Sequence, residues 1–359
     1  MKLTHLSLTN FRTYKKFHQP LVPVTIFVGP NGIGKTNLLE AIYLLAVLKS
    51  YRATVDAEAI RFGEEFAKIV GTIETRDSQT ATRDELELVI YQGQKRAKKN
   101  GAVKPLSQLI GTLKAVLFSP EQLDIVTGPP RRRRRFLDSL LSQIDPRYTQ
   151  ALLEYQKSLQ QRNALLLAIK QGGASATELY FWDKRLVDTA QTIHPQRVRL
   201  VAALNRELPS CYQAVAGGKE VLSIVPRFNA LSIEILQAKL SDDLQVVATT
   251  TGPHRDNFTL QLGRRELGPF GSRGEWRSSL FALKNAESRF LKDEAGEDPV
   301  LLLDDVFSEL DPARRKRLLA GIEVDQTILT ATDASSVPTD LRTKGSIVEV
   351  AQYAHLLEP

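Results

Sequence analysis

The octapeptide Gly29-Pro30-Asn31-Gly32-Ile33-Gly34-Lys35-Thr36 matches G-x-x-x-x-G-K-[ST] and restricts the possible folds of this chain more than any other stretch. Such a loop works where glycines let successive backbone N–H groups converge on phosphate oxygens. It also needs a helix that starts at its end, with the positive pole of the dipole facing the anion. The flanking residues meet both conditions. Residues 24–28 read as a largely buried strand, and residues 38–48 are apolar nearly all round, as suits a helix packed deep against a sheet. Lys35 is then placed to reach the β- and γ-phosphates of a nucleoside triphosphate, and Thr36 to ligate Mg2+.

The matching half of such a site lies far along the chain. Val300-Leu301-Leu302-Leu303-Asp304-Asp305 is an apolar strand ending in two acids, which sets carboxylates at the carboxyl edge of a parallel sheet beside the loop. Asp304 is expected to hold Mg2+, through water, as the acidic partner of Thr36; Asp305 is expected to orient or deprotonate the attacking water. Most of the chain separates the two motifs. A simple P-loop kinase or small GTPase has no need of that interruption, whereas an ATPase head of two lobes with a helical insertion does.

The intervening residues divide accordingly. Residues 2–8, 66–73, 85–91 and 113–118 look like strands, and Asn100-Gly101 marks a hairpin turn. The character changes after Gly128-Pro129-Pro130. Leu152, Tyr155, Leu159, Leu166 and Ile169, then Leu179, Trp182, Leu186 and Ile193 after a Gly-containing turn at 171–175, recur at helical spacing. Two amphipathic helices joined this way form an antiparallel hairpin. Pro195 is expected to end or kink the second, with a further helix over 196–208. Strands return at 221–225, 258–262, 300–303 and 328–330, with helices near 276–291 and 313–322. The predicted organisation is a first ATPase lobe over 1–127, a helical arm over 128–212 and a second lobe over 213–359.

Two shorter elements complete the head. Ser308-Glu309-Leu310-Asp311 follows the paired acids, and Phe270-Gly271-Ser272-Arg273-Gly274-Glu275-Trp276-Arg277 sets Ser and Gly just before a helix. That helix end is a second potential anion site. The economical arrangement has one copy of the chain binding the β-phosphate through its loop and a second copy capping the γ-phosphate through Ser272 and Gly274.

Together these residues resemble an ABC-type ATPase head of the kind shared with the structural-maintenance-of-chromosomes proteins. Further stretches resemble the RecF family: Leu8-Thr9-Asn10-Phe11-Arg12-Thr13-Tyr14, Phe118-Ser119-Pro120-Glu121, Gly128 with the arginines before Phe136-Leu137-Asp138, and Gly252-Pro253-His254-Arg255-Asp256. The resemblance implies an α/β P-loop head with an inserted helical-hairpin subdomain. It adds Arg12, Ser272 and Gly274 to the ATP-binding set of residues 29–36, and makes Lys35 and Asp305 the catalytic groups. It also implies an ATP-dependent homodimer that binds DNA, at single-strand/duplex junctions, and works with the RecO and RecR proteins to help RecA load at gaps; slow hydrolysis would reset the dimer. The chain departs from the family pattern in places. Glu275 and Trp276 stand where Gln followed by Gln or Leu is usual, so a carboxylate near the γ-phosphate needs Arg273 or Arg277 to neutralise it. Pro129 replaces a small residue, Asn257 a second acid, and Thr330-Ala331-Thr332-Asp333 occupies the switch position.

Lys+Arg 48 against Asp+Glu 41 leaves +7, a modest excess that fits a protein meeting polyanions. Arg131 to Arg135 open a helix at the wrong end of its dipole, so phosphates or acidic neighbours are expected beside them. Lys95, Arg96, Lys98, Lys99 and Lys104 around the Asn100 turn, with Lys49 and Arg52, form other candidate backbone-contacting patches; such contacts would be salt-sensitive. His254 reads as a turn histidine or a loop histidine near a dimer interface. One cysteine, Cys211, excludes an internal disulfide framework and fits a reducing cytosol. The amino end lacks the apolar core of a signal peptide, and the longest apolar runs are too short to span a bilayer. The competing reading, the nucleotide-binding subunit of a membrane transporter, shares the head chemistry but not the helical hairpin or the arginine run.

Overall fold

The computed structural model describes residues 1–76, 81–218, 220–309 and 324–350, which cluster into two compact units. One comprises Met1–Leu123, Ser210–Lys219 and Arg277–Pro359, the other Asp124–Pro209 and Glu220–Trp276. Leu310, Asp311 and the helix expected over 313–322 lie outside the described residues.

In the first unit, β1 (Lys2–Phe11), β2 (Tyr14–Pro20), β4 (Phe66–Arg76), β5 (Ala81–Tyr91), β6 (Gln94–Lys99) and β7 (Ala102–Lys104) form an antiparallel sheet in the order β2-β1-β4-β5-β6-β7. Two-residue turns join β5 to β6 and β6 to β7. Asn100 and Gly101 both take positive φ, 52° and 79°, as expected, and Gln92-Gly93 forms another such turn with φ of 46° and 74°. That second turn is unmarked in the sequence because Gln seldom takes the left-handed conformation.

β3 (Val24–Val28), β8 (Ala115–Phe118), β12 (Val300–Asp304), β13 (Thr327–Ala331) and β14 (Ser346–Glu349) form a wholly parallel sheet in the order β14-β3-β13-β12-β8. The helix Lys35–Val47 touches strands of both sheets, so all but one of its thirteen residues are buried. Contact on two sides explains why its sequence carries no polar face. The acid strand β12 and the loop strand β3 are not neighbours: β13 runs between them, and its Thr330 sits in register with Asp304 on one side and Phe27 on the other.

The second unit holds helices Pro130–Ser142, Pro146–Lys170 and part of Leu179–Ala216, with β9 (Leu222–Arg227), β10 (Asn257–Leu262) and β11 (Arg265–Glu266) in a small antiparallel sheet. The long helices run antiparallel, since contacts climb one as they descend the other: Tyr148 meets Arg197 and Arg162 meets Asp183. The separate helix expected over 196–208 is instead part of Leu179–Ala216, one helix that runs on through Pro195 and Pro209. A mid-helix proline costs about 3 kcal/mol. The buried stripe Ile193, Leu200, Leu204 and Leu208, with Arg197 anchored among them, holds the helix through it. No helix among the described residues is long and apolar enough to cross a membrane.

Candidate nucleotide site

The loop between β3 and the helix it feeds is shaped by backbone that only glycine adopts cheaply. Gly32 and Gly34 have φ of 84° and 101°. At Gly34 a Cβ would also meet Thr13 Oγ1 at 2.7 Å, so both strain and space demand glycine there. The helix start has no side-chain cap and no acid in its first turn, which leaves the N–H groups of Lys35 and Thr36 to an anion. Lys35 Nζ donates to the carbonyls of Gly29 at 2.7 Å and Pro30 at 2.9 Å, spanning the loop. Burial lowers the Lys35 pKa while Asp305 and then Asp304 pull it back up.

The paired acids come to this loop through Thr330. Asp304, 3% exposed, accepts at Oδ1 from Thr36 Oγ1 at 3.0 Å and from Thr330 Oγ1 at 2.8 Å. Thr330 in turn accepts from the Asp305 amide at 2.9 Å, and Asp305 stands at a φ of 47°, which turns the chain sharply as it leaves β12. Burial raises the Asp304 pKa, and the two threonine hydroxyls offset part of the rise. Expected and observed partners therefore meet across 268 residues of chain.

A cleft of about 540 Å³ opens over these groups, lined by Asn31, Gly32, Gly34, Lys35, Thr36, Asp304 and Asp305 among others. Arg12 lines it too. Gly29 and Pro30 serve it through their carbonyls, and Ile33 packs against the core. Among the described residues no three His, Cys, Asp or Glu side chains cluster as a metal cage. The donors available are the Thr36 hydroxyl and the Asp304 carboxylate. That hard-oxygen set fits Mg2+, which is usually held by one or two carboxylates plus phosphate oxygens and water.

One residue of the site escapes a reading by motif. Glu40 lies in the apolar helix, fully buried. Arg12 grips it with two bonds, Nε to Oε2 at 3.0 Å and Nη2 to Oε1 at 2.7 Å; Ser50 Oγ also donates to it, and Arg52 Nη1 stands 3.6 Å away. Arg12 and Arg52 both line the cleft, so one buried carboxylate orients two cations there. An acid inside an apolar helix needs such partners, and that was the available signal.

In the second unit, Ser272 and Gly274 open the helix Arg273–Ala295. Ser272 and Glu275 form a reciprocal cap: Ser272 N donates to Glu275 Oε2 at 2.7 Å, and Glu275 N to Ser272 Oγ at 3.3 Å. The charge that neutralises Glu275 comes from Arg265, at 2.5 Å, rather than from Arg273 or Arg277. This bond, helped by the Ser272 amide, lowers the Glu275 pKa to about 2. Trp276 Nε1 donates to Leu267 O at 2.6 Å, which turns its indole onto Gly271.

The arginine run proves largely internal to this unit. Arg133 is buried and donates to Gly128 O at 2.8 Å and Asn257 Oδ1 at 2.8 Å; Arg134 donates to Asp256 O at 2.9 Å; Arg132 pairs with Asp124 at 3.3 Å. Arg131 is exposed. Asp138 binds Arg197, not Arg134. His254 accepts from the Tyr155 hydroxyl at 2.7 Å and donates from Nε2 to Thr249 O at 2.8 Å, the arrangement of a neutral ring locked into a turn. In the first unit, the lysines of the hairpin are mostly paired: Lys95 with Asp56, Lys98 with Glu87, Lys99 with Asp84.

Residues 2–337 match the family model described as RecF/RecN/SMC N terminal domain. The chain is 39% identical to the DNA replication and repair protein RecF of Chloroflexus aurantiacus, over 95% of each chain, and 35% identical to that of Lacticaseibacillus paracasei, over 98% of each. A solved structure of the recombination mediator protein RecF-ATP in the RecFOR pathway superposes with a TM-score of 0.86 at 32% identity, covering 94% of this chain and 93% of that one. The Smc head domain of Pyrococcus furiosus shares the fold, with a TM-score of 0.54 at 17% identity. With an ABC-type ATPase head and relatives matched along nearly its full length, this chain belongs to the RecF family.

Proposed function

We propose that the chain is a recombination mediator of DNA repair that binds ATP with Mg2+ in the cleft, pairs with a second copy on DNA and separates after hydrolysis. The observation that carries this reading is the Thr36–Asp304–Thr330 cluster beside Lys35, assembled from three distant segments at 2.8 to 3.0 Å. Lys35 exchanges its bonds to Gly29 O and Pro30 O for β- and γ-phosphate oxygens. Thr36 and Asp304 would hold the metal, whose positive charge would offset that of the phosphate oxygens. Asp305 orients the water whose attack on the γ-phosphorus yields ADP and phosphate. Arg12, held by Glu40, adds positive charge to the ATP-binding wall.

Ser272 and Gly274 cap the γ-phosphate from the second copy, which makes pairing depend on the triphosphate. The Ser272–Glu275 cap must then yield part of its bonding, and Arg265 shields the phosphate from the Glu275 charge. The relatives named DNA replication and repair proteins support DNA as the partner and leave the transporter reading without support, and the solved RecF-ATP structure of the RecFOR pathway supports RecO and RecR beside it; RecA loading at gaps is the outcome we assign to the complex. Sedimentation with ATP, with ADP and without nucleotide, each with and without a gapped duplex, tests the scheme. Wild type is expected to dimerise with ATP alone of the three states, and Lys35→Ala to stay monomeric in all. Equal dimerisation of both proteins with ATP would sink it.

A further inference from the structure

The outer face of the six-stranded sheet carries a combination of side chains that the nucleotide chemistry does not use. Alternation along each strand decides which residues lie there. Ala67 and Ile69 of β4, Leu88 and Ile90 of β5 and Ala97 of β6 are buried in the core beneath. Phe66, Lys68, Val89, Tyr91 and Arg96 therefore point the other way.

Register sets the neighbours on that face. Phe66 lies directly opposite Tyr91, and both are exposed, at 37% and 45%. One step along, Lys16, Thr9, Lys68, Val89 and Arg96 form a single row across β2, β1, β4, β5 and β6. At about 4.8 Å between strands the row is roughly 19 Å long. Lys16 and Arg96 are exposed and have no ion-pair partner among the described residues. Lys68 and Lys98 share the single carboxylate of Glu87, at 2.6 and 2.8 Å, so the cluster stays net positive. Phe62, in the turn that feeds β4, is 100% exposed.

Bare aromatic rings beside a row of cations match an unpaired polynucleotide. Each base offers a π-face to a ring and each phosphate a charge to a lysine or arginine. A duplex hides its base faces in its own stack and can use only the cations. We infer that this face is a single-stranded DNA platform, with Phe66 and Tyr91 stacking on bases while Lys16, Lys68 and Arg96 meet the phosphates. The inference rests on the DNA-binding reading above and locates on this face the side chains that meet the strand.

Anisotropy titrations of a labelled oligothymidylate and a blunt duplex of equal length test it. Phe66→Ala and Tyr91→Ala are each expected to weaken oligothymidylate binding about ten-fold, with Tyr91→Phe restoring it and duplex affinity unchanged throughout. Lys16→Ala combined with Arg96→Ala is expected to flatten the single-strand salt slope by about 1.4. Matched thermal midpoints show that the variants are folded. Wild-type binding that survives both aromatic substitutions overturns the platform and leaves the DNA reading standing, as does an equal loss on duplex. Wild type that binds neither DNA overturns the DNA reading, and the platform with it.

Discussion

His254 shows how a single side chain takes its role from its neighbours. Burial in the turn, with Arg255 and Arg134 adding to the effect, holds its pKa down to about 4 even though the Thr249 carbonyl favours the proton. The unfolded chain protonates the ring near 6.5. Between these values the unfolded state takes up a proton that the folded state refuses, so stability is complete above about 6.5 and is lost as pH falls toward 4. The loss amounts to roughly 3 kcal/mol. Denaturant titrations across that window are expected to show this slope in wild type and a flatter one in His254→Gln. Thr330 is a second case. Its hydroxyl donates to Asp304 and accepts from the Asp305 amide, so Thr330→Val removes both bonds and frees the paired acids. ATP turnover is expected to fall at least ten-fold while ATP-dependent dimerisation in sedimentation persists; unchanged turnover would deny Thr330 its positioning role. Neither residue's role could be read from its type, because both depend on what other segments bring to them.

Helices and strands were more legible than their surroundings. The Lys35–Val47 helix follows from its apolar composition, and β12 from a hydrophobic run ending in acids, because both patterns are local. The helix Pro130–Ser142 was legible as a helix but not in its use. Five arginines in sequence suggested phosphate contacts, yet Arg133 is spent on Gly128, Asn257 and the interior of its own unit. A buried guanidinium bonded to carbonyls holds up a loop, and replacing it orphans those acceptors. Arg133→Ala is therefore expected to lower unfolding stability by about 2 kcal/mol and to leave the salt slope of DNA binding unchanged. A lowered slope at constant stability would return this arginine to the nucleic-acid surface. The continuous helix Leu179–Ala216 makes the same point about proline: its cost is local, and the buried stripe that offsets it is not.

At the scale of the molecule, the head chemistry depends on residues that sequence order keeps far apart. Thr36 and Asp304 share a 3.0 Å hydrogen bond because β13 stands between their strands and lends Thr330 to both acids. The amino-acid sequence alone determined the loop, its glycines, the acid-tipped strand and the helical hairpin, since φ preferences and hydrophobic periods act over a few residues. Only the tertiary structure decided which charges are free. It buried Glu40 under Arg12 and Arg52, gave Glu275 to Arg265, turned Arg133 inward, and left Phe66 and Tyr91 bare beside Lys16 and Arg96. The physical reason is that a charge or a ring is defined energetically by its solvent and its partners, and both are supplied by chain segments whose proximity no local pattern encodes.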